Sequence, residues 1–195
     1  MIEQSDRPIL DTDIWVFLVM TSLYKKVIRS YGYFYTSDTV NNEILKWNEN
    51  KGDFKNIATI FEDLKAQSKV RVISIDDFSE LEKNIINHQL ANYGLKHISI
   101  SEKNKGEFVS FLYALQLGIK RFKTNDHNFA DEIGIKNFPE ITLVDWDSLL
   151  DKYVVSVKEK GEFMKVVATK EKKMKNQKEQ HRNRDPRWDI LKQFL

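Results

Sequence analysis

The chain has 195 residues, 41% apolar and 12% aromatic, a net charge of +2 and no cysteine. That length suits one domain with an appendage and enough apolar mass for a core, and the missing thiols exclude disulfides, thiolate zinc fingers and cysteine catalysis. The start (MIEQSDRPIL) has no basic segment leading into an apolar run, and no apolar stretch approaches the ~20 residues of a membrane span, so the reading is a soluble, cytoplasmic chain.

In chain order, Pro8-Ile9-Leu10 predicts a short strand that ends at an acid, Asp11. Residues 13–29 predict one largely buried helix. Tyr33-Phe34-Tyr35-Thr36 predicts a second strand, after which Ser37 or Asp38 offers an N-cap for a helix to about Trp47. Phe54, Ile57, Ile60, Phe61 and Leu64 have helical spacing within 53–68, and residues 70–75 (VRVISI) form the clearest strand. Asp77 with Glu80 predicts the start of another helix as a capping-box-like pair. A helix over about 102–118 follows, with Phe108, Phe111, Leu112 and Leu115 on one face and Gly118 as its stop. Phe122-Lys123-Thr124 is a short strand leading to Asn125-Asp126, and Ile141-Thr142-Leu143-Val144 is the last strand. From Trp146 to about Arg182 the pattern is helical and increasingly charged.

Strands separated by helices imply βαβ units, a parallel sheet and right-handed crossovers, with ligands gathered at the carboxyl ends of the strands. Asp11 and Asp126 each follow a strand and therefore share that edge. Glu43 falls about one turn into the helix after strand two. Glu107 lies four residues before Phe111, on that residue's inward side. Four carboxylates from distant segments then converge. Packed acids oppose folding by mutual repulsion, and a divalent cation removes that cost. Mg²⁺ and Mn²⁺ prefer oxygen ligands, and two such ions ~4 Å apart activate water and stabilise the leaving oxygen of a phosphodiester. Each acid also has a plainer role. Asp11 and Asp126 suit helix caps, Glu43 a solvated helix face, Glu107 a first-turn acid favoured by the helix dipole, and Asp131 surface.

These segments, Ile-Leu-Asp11-Thr-Asp, Thr36-Ser-Asp-Thr-Val-Asn-Asn-Glu43, Gly106-Glu107 with the helix to Leu117-Gly118-Ile119, and Thr124-Asn125-Asp126-His-Asn-Phe129, resemble the PIN domain over about residues 7–150. PIN domains occur in RNA-processing nucleases and in the toxins of toxin–antitoxin pairs. The resemblance implies a three-layer α/β/α sandwich and a metal-dependent endoribonuclease using Mg²⁺ or Mn²⁺. Asp11, Glu107 and Asp126 would be the metal ligands and Glu43 the fourth catalytic acid, with Thr124 and Asn125 in support. It also implies RNA as substrate and, as a toxin, a protein antitoxin as partner. Two departures stand out: about 45 residues follow the last strand, and 76–101 carries no matching motif.

Residues 1–150 are therefore expected to form the nuclease domain and 151–195 a basic helical extension. Lys158–Arg187 carries 11 Lys/Arg against 5 Asp/Glu, leaving the first 157 residues mildly acidic. This segment is either a solvated helix or a sequence-blind phosphate contact. Beyond it, Trp188, Leu191, Phe194 and Leu195 have helical spacing and suit docking on this chain, on a second copy as a homodimer, or on a partner. Two further readings stay open. One is a non-catalytic nucleic-acid-binding or assembly module on the same fold. The other is a haloacid-dehalogenase-like phosphatase with Asp11 as nucleophile, Asp13 as acid, Lys120 or Lys123 as the cation, and Asp126 and Asp131 as metal ligands. In that family a Thr follows two residues after the second acid, where this chain has Trp15. The four histidines show no paired metal spacing; His127 beside Asp126 suits either proton transfer or a solvated loop. No glycine-rich phosphate loop and no G-x-S-x-G elbow is present.

Overall fold

A computed structural model describes residues 6–100, 102, 105–125 and 129–184, and side chains to Lys173 apart from Glu171. Asp126, His127 and the terminal segment 185–195 lie outside the described residues.

Five short strands form one all-parallel sheet: β1 (Ile9–Leu10), β2 (Phe34–Ser37), β3 (Val70–Ile73), β4 (Arg121–Lys123) and β5 (Thr142–Val144), in the order β3-β2-β1-β4-β5. The chain steps from β1 to β2 to β3 in one direction, then returns to place β4 on the other side of β1. The crevice between β1 and β4 is thus the topological switch point, where open α/β sheets bind ligands. Register sets Ile9 opposite Phe122 and Leu10 opposite Lys123, and the Asp11 N–H donates to the Lys123 carbonyl at 3.0 Å. Asp11 and Thr124 therefore sit at the same level on the carboxyl edge.

Because strand side chains alternate, the sheet sorts its residues into two cores. Leu10, Phe34 and Val70 face α1 (Thr12–Met20), α2 (Tyr24–Tyr31), α4 (Asp53–Ala66) and α8 (Trp146–Tyr153). Ile9, Tyr35, Ile73 and Phe122 face α5 (Glu80–Asn92), α6 (Lys105–Gln116) and α7 (Phe129–Glu132). The result is the expected three-layer α/β/α sandwich. Trp15 anchors the first core with its ring 5.4 Å from Phe61 and 5.7 Å from Phe34. Phe108, Phe111, Phe122 and Phe129 form an aromatic cluster of edge-on and tilted contacts in the second. Among the described residues no helix is long and apolar enough to cross a membrane.

Several boundaries differ from the sequence reading, each for a local reason. The helix expected over 13–29 breaks into α1 and α2 at Ser22, whose φ of 60° is left-handed and stops helical propagation. The cap of α5 is Ser79 with Glu82, not Asp77 with Glu80; Asp77 instead closes a capping box with Ser74 over a 3-10 turn at Ile75–Asp77. The helix expected over 102–118 is α6, described over Lys105–Gln116 and stopping before Gly118 at φ 63°. The C-terminal helical run divides into α8 and α9 (Val157–Arg184). Val154 and Val167 are buried in the first core, and Phe163 packs against it.

A buried lysine fixes the approach to α6. The Lys105 side chain is 1% exposed, and its ammonium donates to the carbonyls of Lys96 (2.9 Å), His97 (2.6 Å) and Ile100 (2.8 Å). Burial lowers its pKa, but three acceptors match the three donors of an ammonium. Lys105→Met would leave three carbonyls without their donor. We expect a loss of about 2–4 kcal/mol in chemical denaturation, with faster amide exchange confined to residues 95–100. Exchange that stays slow there would show that the loop does not depend on the ammonium.

Candidate active site

Asp11 is the residue before α1, at φ −83° and ψ 168°, an N-cap geometry, yet its side chain makes no capping hydrogen bond. Instead the carboxyl is 4% exposed and lies against Glu107. Its pKa is raised well above the ordinary carboxylate value, first by burial, then by the charges of Glu107 and Asp13 and a hydrogen bond shared with Glu107. The plain cap role for Asp11 is thus not what its side chain does.

Glu107 comes from the first turn of α6. Thr124 Oγ1, just past β4, donates to Glu107 Oε1 at 2.5 Å. Glu43 comes from α3 (Asp38–Leu45), capped by Ser37, whose hydroxyl accepts the Val40 N–H at 3.3 Å and pairs with Ser110 of α6 at 2.8 Å. Thr12 Oγ1 donates to Glu43 Oε2 at 2.7 Å. Glu43 also lies against α6. A Cβ built on Gly106 would stand 3.2 Å from Val40 Cγ2 and 3.3 and 3.4 Å from the Glu43 carboxylate oxygens.

Of the four predicted acids, Asp11 and Glu107 meet, and Glu43 reaches the same corner through Thr12 and Gly106. Asp126 lies outside the described residues; Asn125, at the end of the β4 segment, is half-buried. Among the described residues, no three acidic, imidazole or thiol groups are placed to hold one metal ion. The donors present are hard oxygen atoms only, and one buried carboxyl already carries the electrostatic cost of a second. That chemistry fits Mg²⁺ or Mn²⁺.

A cleft of about 500 Å³ opens beside Glu43, lined also by Thr39, Asn42, Lys46, Ile98 and Lys105. A neighbouring cleft of about 490 Å³ shares Thr39, Asn42, Ile98 and Ser99 with it.

No family model matches this chain, and no curated protein matches it. Among solved structures, it is similar to a chain from "VapBC2 from Rickettsia felis bound to a DNA fragment from their promoter". The TM-score is 0.43 and the identity 18%, over 72% of this chain and 98% of that one. So distant a likeness does not carry function across.

The phosphatase reading loses its parts here. Trp15, where that motif places Thr, is 1% exposed in the core. Lys120 reaches Asp6 at 3.8 Å, ahead of β1, and the Lys123 ammonium lies 5.7 Å from the Tyr31 ring, on the α2 side of the sheet.

Three residues with a part in this corner carry weak sequence signals. Thr12 is masked by its proximity to Asp11, and Lys105 looks like surface charge. Gly106 had the clearest signal, since a glycine inside a helix start costs stability and so calls for a packing reason. Gly106→Ala should forgo the ~1 kcal/mol that alanine normally adds in a helix, because the new methyl presses on Val40 and Glu43. A melting temperature that rises as for an open helical site would show that α3 yields freely.

Proposed function

We propose that this chain is a PIN-type, metal-dependent endoribonuclease. The observation that carries the reading is the buried Asp11 carboxyl set against the half-buried Glu107 at the β1/β4 switch point, with Glu43 packed at the same corner. Two carboxyl groups brought together out of water are compensated by a shared proton or by a cation, and a divalent ion at this hard-oxygen corner takes the place of that proton.

In this reading Asp11, Glu107 and Asp126 hold Mg²⁺ or Mn²⁺, and Glu43 is the fourth acid. When bound, the metal supplies Lewis-acid stabilisation of charge developing on the phosphate and lowers the cost of deprotonating water. Thr124 holds the Glu107 carboxylate in place and Thr12 holds that of Glu43. Glu43 accepts the proton of the attacking water or orients it. Asn125 helps set the β4 side of the site. The cleft beside Glu43 receives the RNA strand, with Lys46 at its wall. A toxin role with a protein antitoxin, and a homodimer, belong to the same proposal.

Purified protein is incubated with mixed single-stranded RNA and Mn²⁺, beside an EDTA control and Asp11→Asn. Cleavage that disappears with both the chelator and the substitution supports the nuclease. RNA left intact by the wild type, with a control nuclease active, sinks it and favours a non-catalytic module.

A further inference from the structure

Away from the acids, on the α2/α8 side of the sheet, three cations surround a single tyrosine. The Tyr31 ring, 5% exposed, has the Lys152 ammonium 4.7 Å, the Lys123 ammonium 5.7 Å and the Arg121 guanidinium 5.9 Å from its centroid. Lys152 Nζ donates to the Tyr31 hydroxyl at 2.8 Å. A fourth cation, Arg7, donates from Nε to the Tyr31 carbonyl at 3.2 Å. Lys123 is 1% exposed, so this is not a scatter of solvated surface charges.

Among the described residues no carboxylate pairs with Arg121, Lys123 or Lys152. Arg121 donates to the backbone carbonyl of Asp6 at 3.5 Å, while the Asp6 carboxylate reaches Lys120 at 3.8 Å. A buried cation such as Lys123 and a half-buried one such as Arg121 are ordinarily paired, and leaving them unpaired beside the exposed Lys152 raises the energy of the fold. The tyrosine registers the resulting positive field. Burial pushes the Tyr31 hydroxyl up, yet the hydrogen bond from Lys152 and the charges of Lys152 and Arg121 bring it below the ordinary tyrosine value. Two lysines, one arginine and a phenol within reach of one another carry the donor types that hold a multiply charged oxyanion.

We propose that Arg121, Lys123 and Lys152, gathered around Tyr31, form a binding site for a phosphate group. The group is either a free phosphate ion or a phosphate of a polynucleotide, and the site does not rest on the nuclease reading. A dianion there neutralises charges that the fold leaves uncompensated.

The test uses the full-length protein in metal-free buffer with EDTA, so that the acidic corner takes no part. Inorganic phosphate is titrated by calorimetry at constant ionic strength into wild type, Lys152→Ala, Arg121→Ala and Lys123→Met. A second arm titrates a cleavage-resistant 2′-O-methyl oligoribonucleotide with and without a 5′-phosphate. We expect saturable binding of at least one probe, weakened about tenfold or more by each substitution. Tighter binding of the free ion identifies a small-anion site. Binding that needs the 5′-phosphate identifies a strand end, and oligonucleotide binding indifferent to it identifies the backbone; each of these outcomes supports the site. Absence of saturable binding of both probes overturns it, as does binding that the substitutions leave unchanged. Lys152 is exposed, so Lys152→Ala is expected to fold, and its melting curve, recorded beside the titration, separates lost binding from a change in stability.

Discussion

Asp11→Asn is expected to cut RNA cleavage by about 10²-fold or more while making the metal-free protein more stable. The two effects share one cause. Burial, and then the neighbouring charges of Glu107 and Asp13, raise the Asp11 pKa above its unfolded value near 3.8. The folded chain therefore holds a proton that the unfolded chain has already lost, so stability falls as pH rises through that interval. Above it the penalty is fully present, and asparagine, which cannot ionise, removes it. Melting of the metal-free variant should exceed that of the wild type at pH 7–8, and the difference should close below pH ~4.

Cation binding reverses the order. A ligand at about 100 times its dissociation constant stabilises by about 2.7 kcal/mol, worth roughly 5–10 °C for a chain of this size. Mn²⁺ should raise wild-type melting by that amount and leave Asp11→Asn almost unmoved. An equal Mn²⁺ response in both proteins would show that Asp11 is not a ligand, whatever happens to cleavage. A metal-free variant less stable than wild type at neutral pH would show that the Asp11 charge is favourably held.

Lys123→Met is expected to raise stability most at low pH. Burial pushes the Lys123 ammonium down to about 7 from 10.5, and the charges of Lys152 and Arg121 add to the effect. Between those values the unfolded chain carries a proton that the folded chain lacks, so stability climbs with pH across the window. Below pH 7 the cost of the buried lysine is complete, and above 10.5 it is absent. Methionine has similar length and no charge, so its gain is largest at pH 6, on the order of 5 kcal/mol as an upper bound. Denaturant melts at pH 6, 8 and 10 measure it. A gain that stays constant across pH would mean the lysine is destabilising through packing, and a loss at pH 6 would mean that its charge is paired in the fold.

Much of the architecture was legible because two periods differ. Residues 70–75 and 33–36 read as strands and 53–68 as a helix, within a few residues of Val70–Ile73, Phe34–Ser37 and Asp53–Ala66, since local side-chain spacing decides which face is apolar. The edge itself was legible for a related reason: in a parallel sheet every strand finishes at the same edge, which is why Asp11 and Asp126 were expected to share it; Asp11 does lie there, and Asp126 falls outside the described residues. The left-handed turn at Ser22 was not legible, because a serine seldom adopts that backbone and nothing local announces it. The α5 cap is a local signal by contrast: Ser79 and Glu82 have the Ser-x-x-Glu spacing of a capping box, and Ser74 with Asp77 forms a separate box on the preceding turn.

By itself, then, the sequence determined the parallel α/β class, the order of the elements and the candidacy of Asp11, Glu43 and Glu107, because these follow from periodicity and from acids placed after strands. Only the tertiary structure decided that Asp11 turns from its cap position to Glu107, that Gly106 lets α3 bring Glu43 against α6, and that Lys123 lies buried beside Lys152 and Arg121 around Tyr31. Those outcomes depend on burial and on contacts between residues far apart in the chain. Both are set when helices pack on the sheet, and no local pattern of residues encodes them.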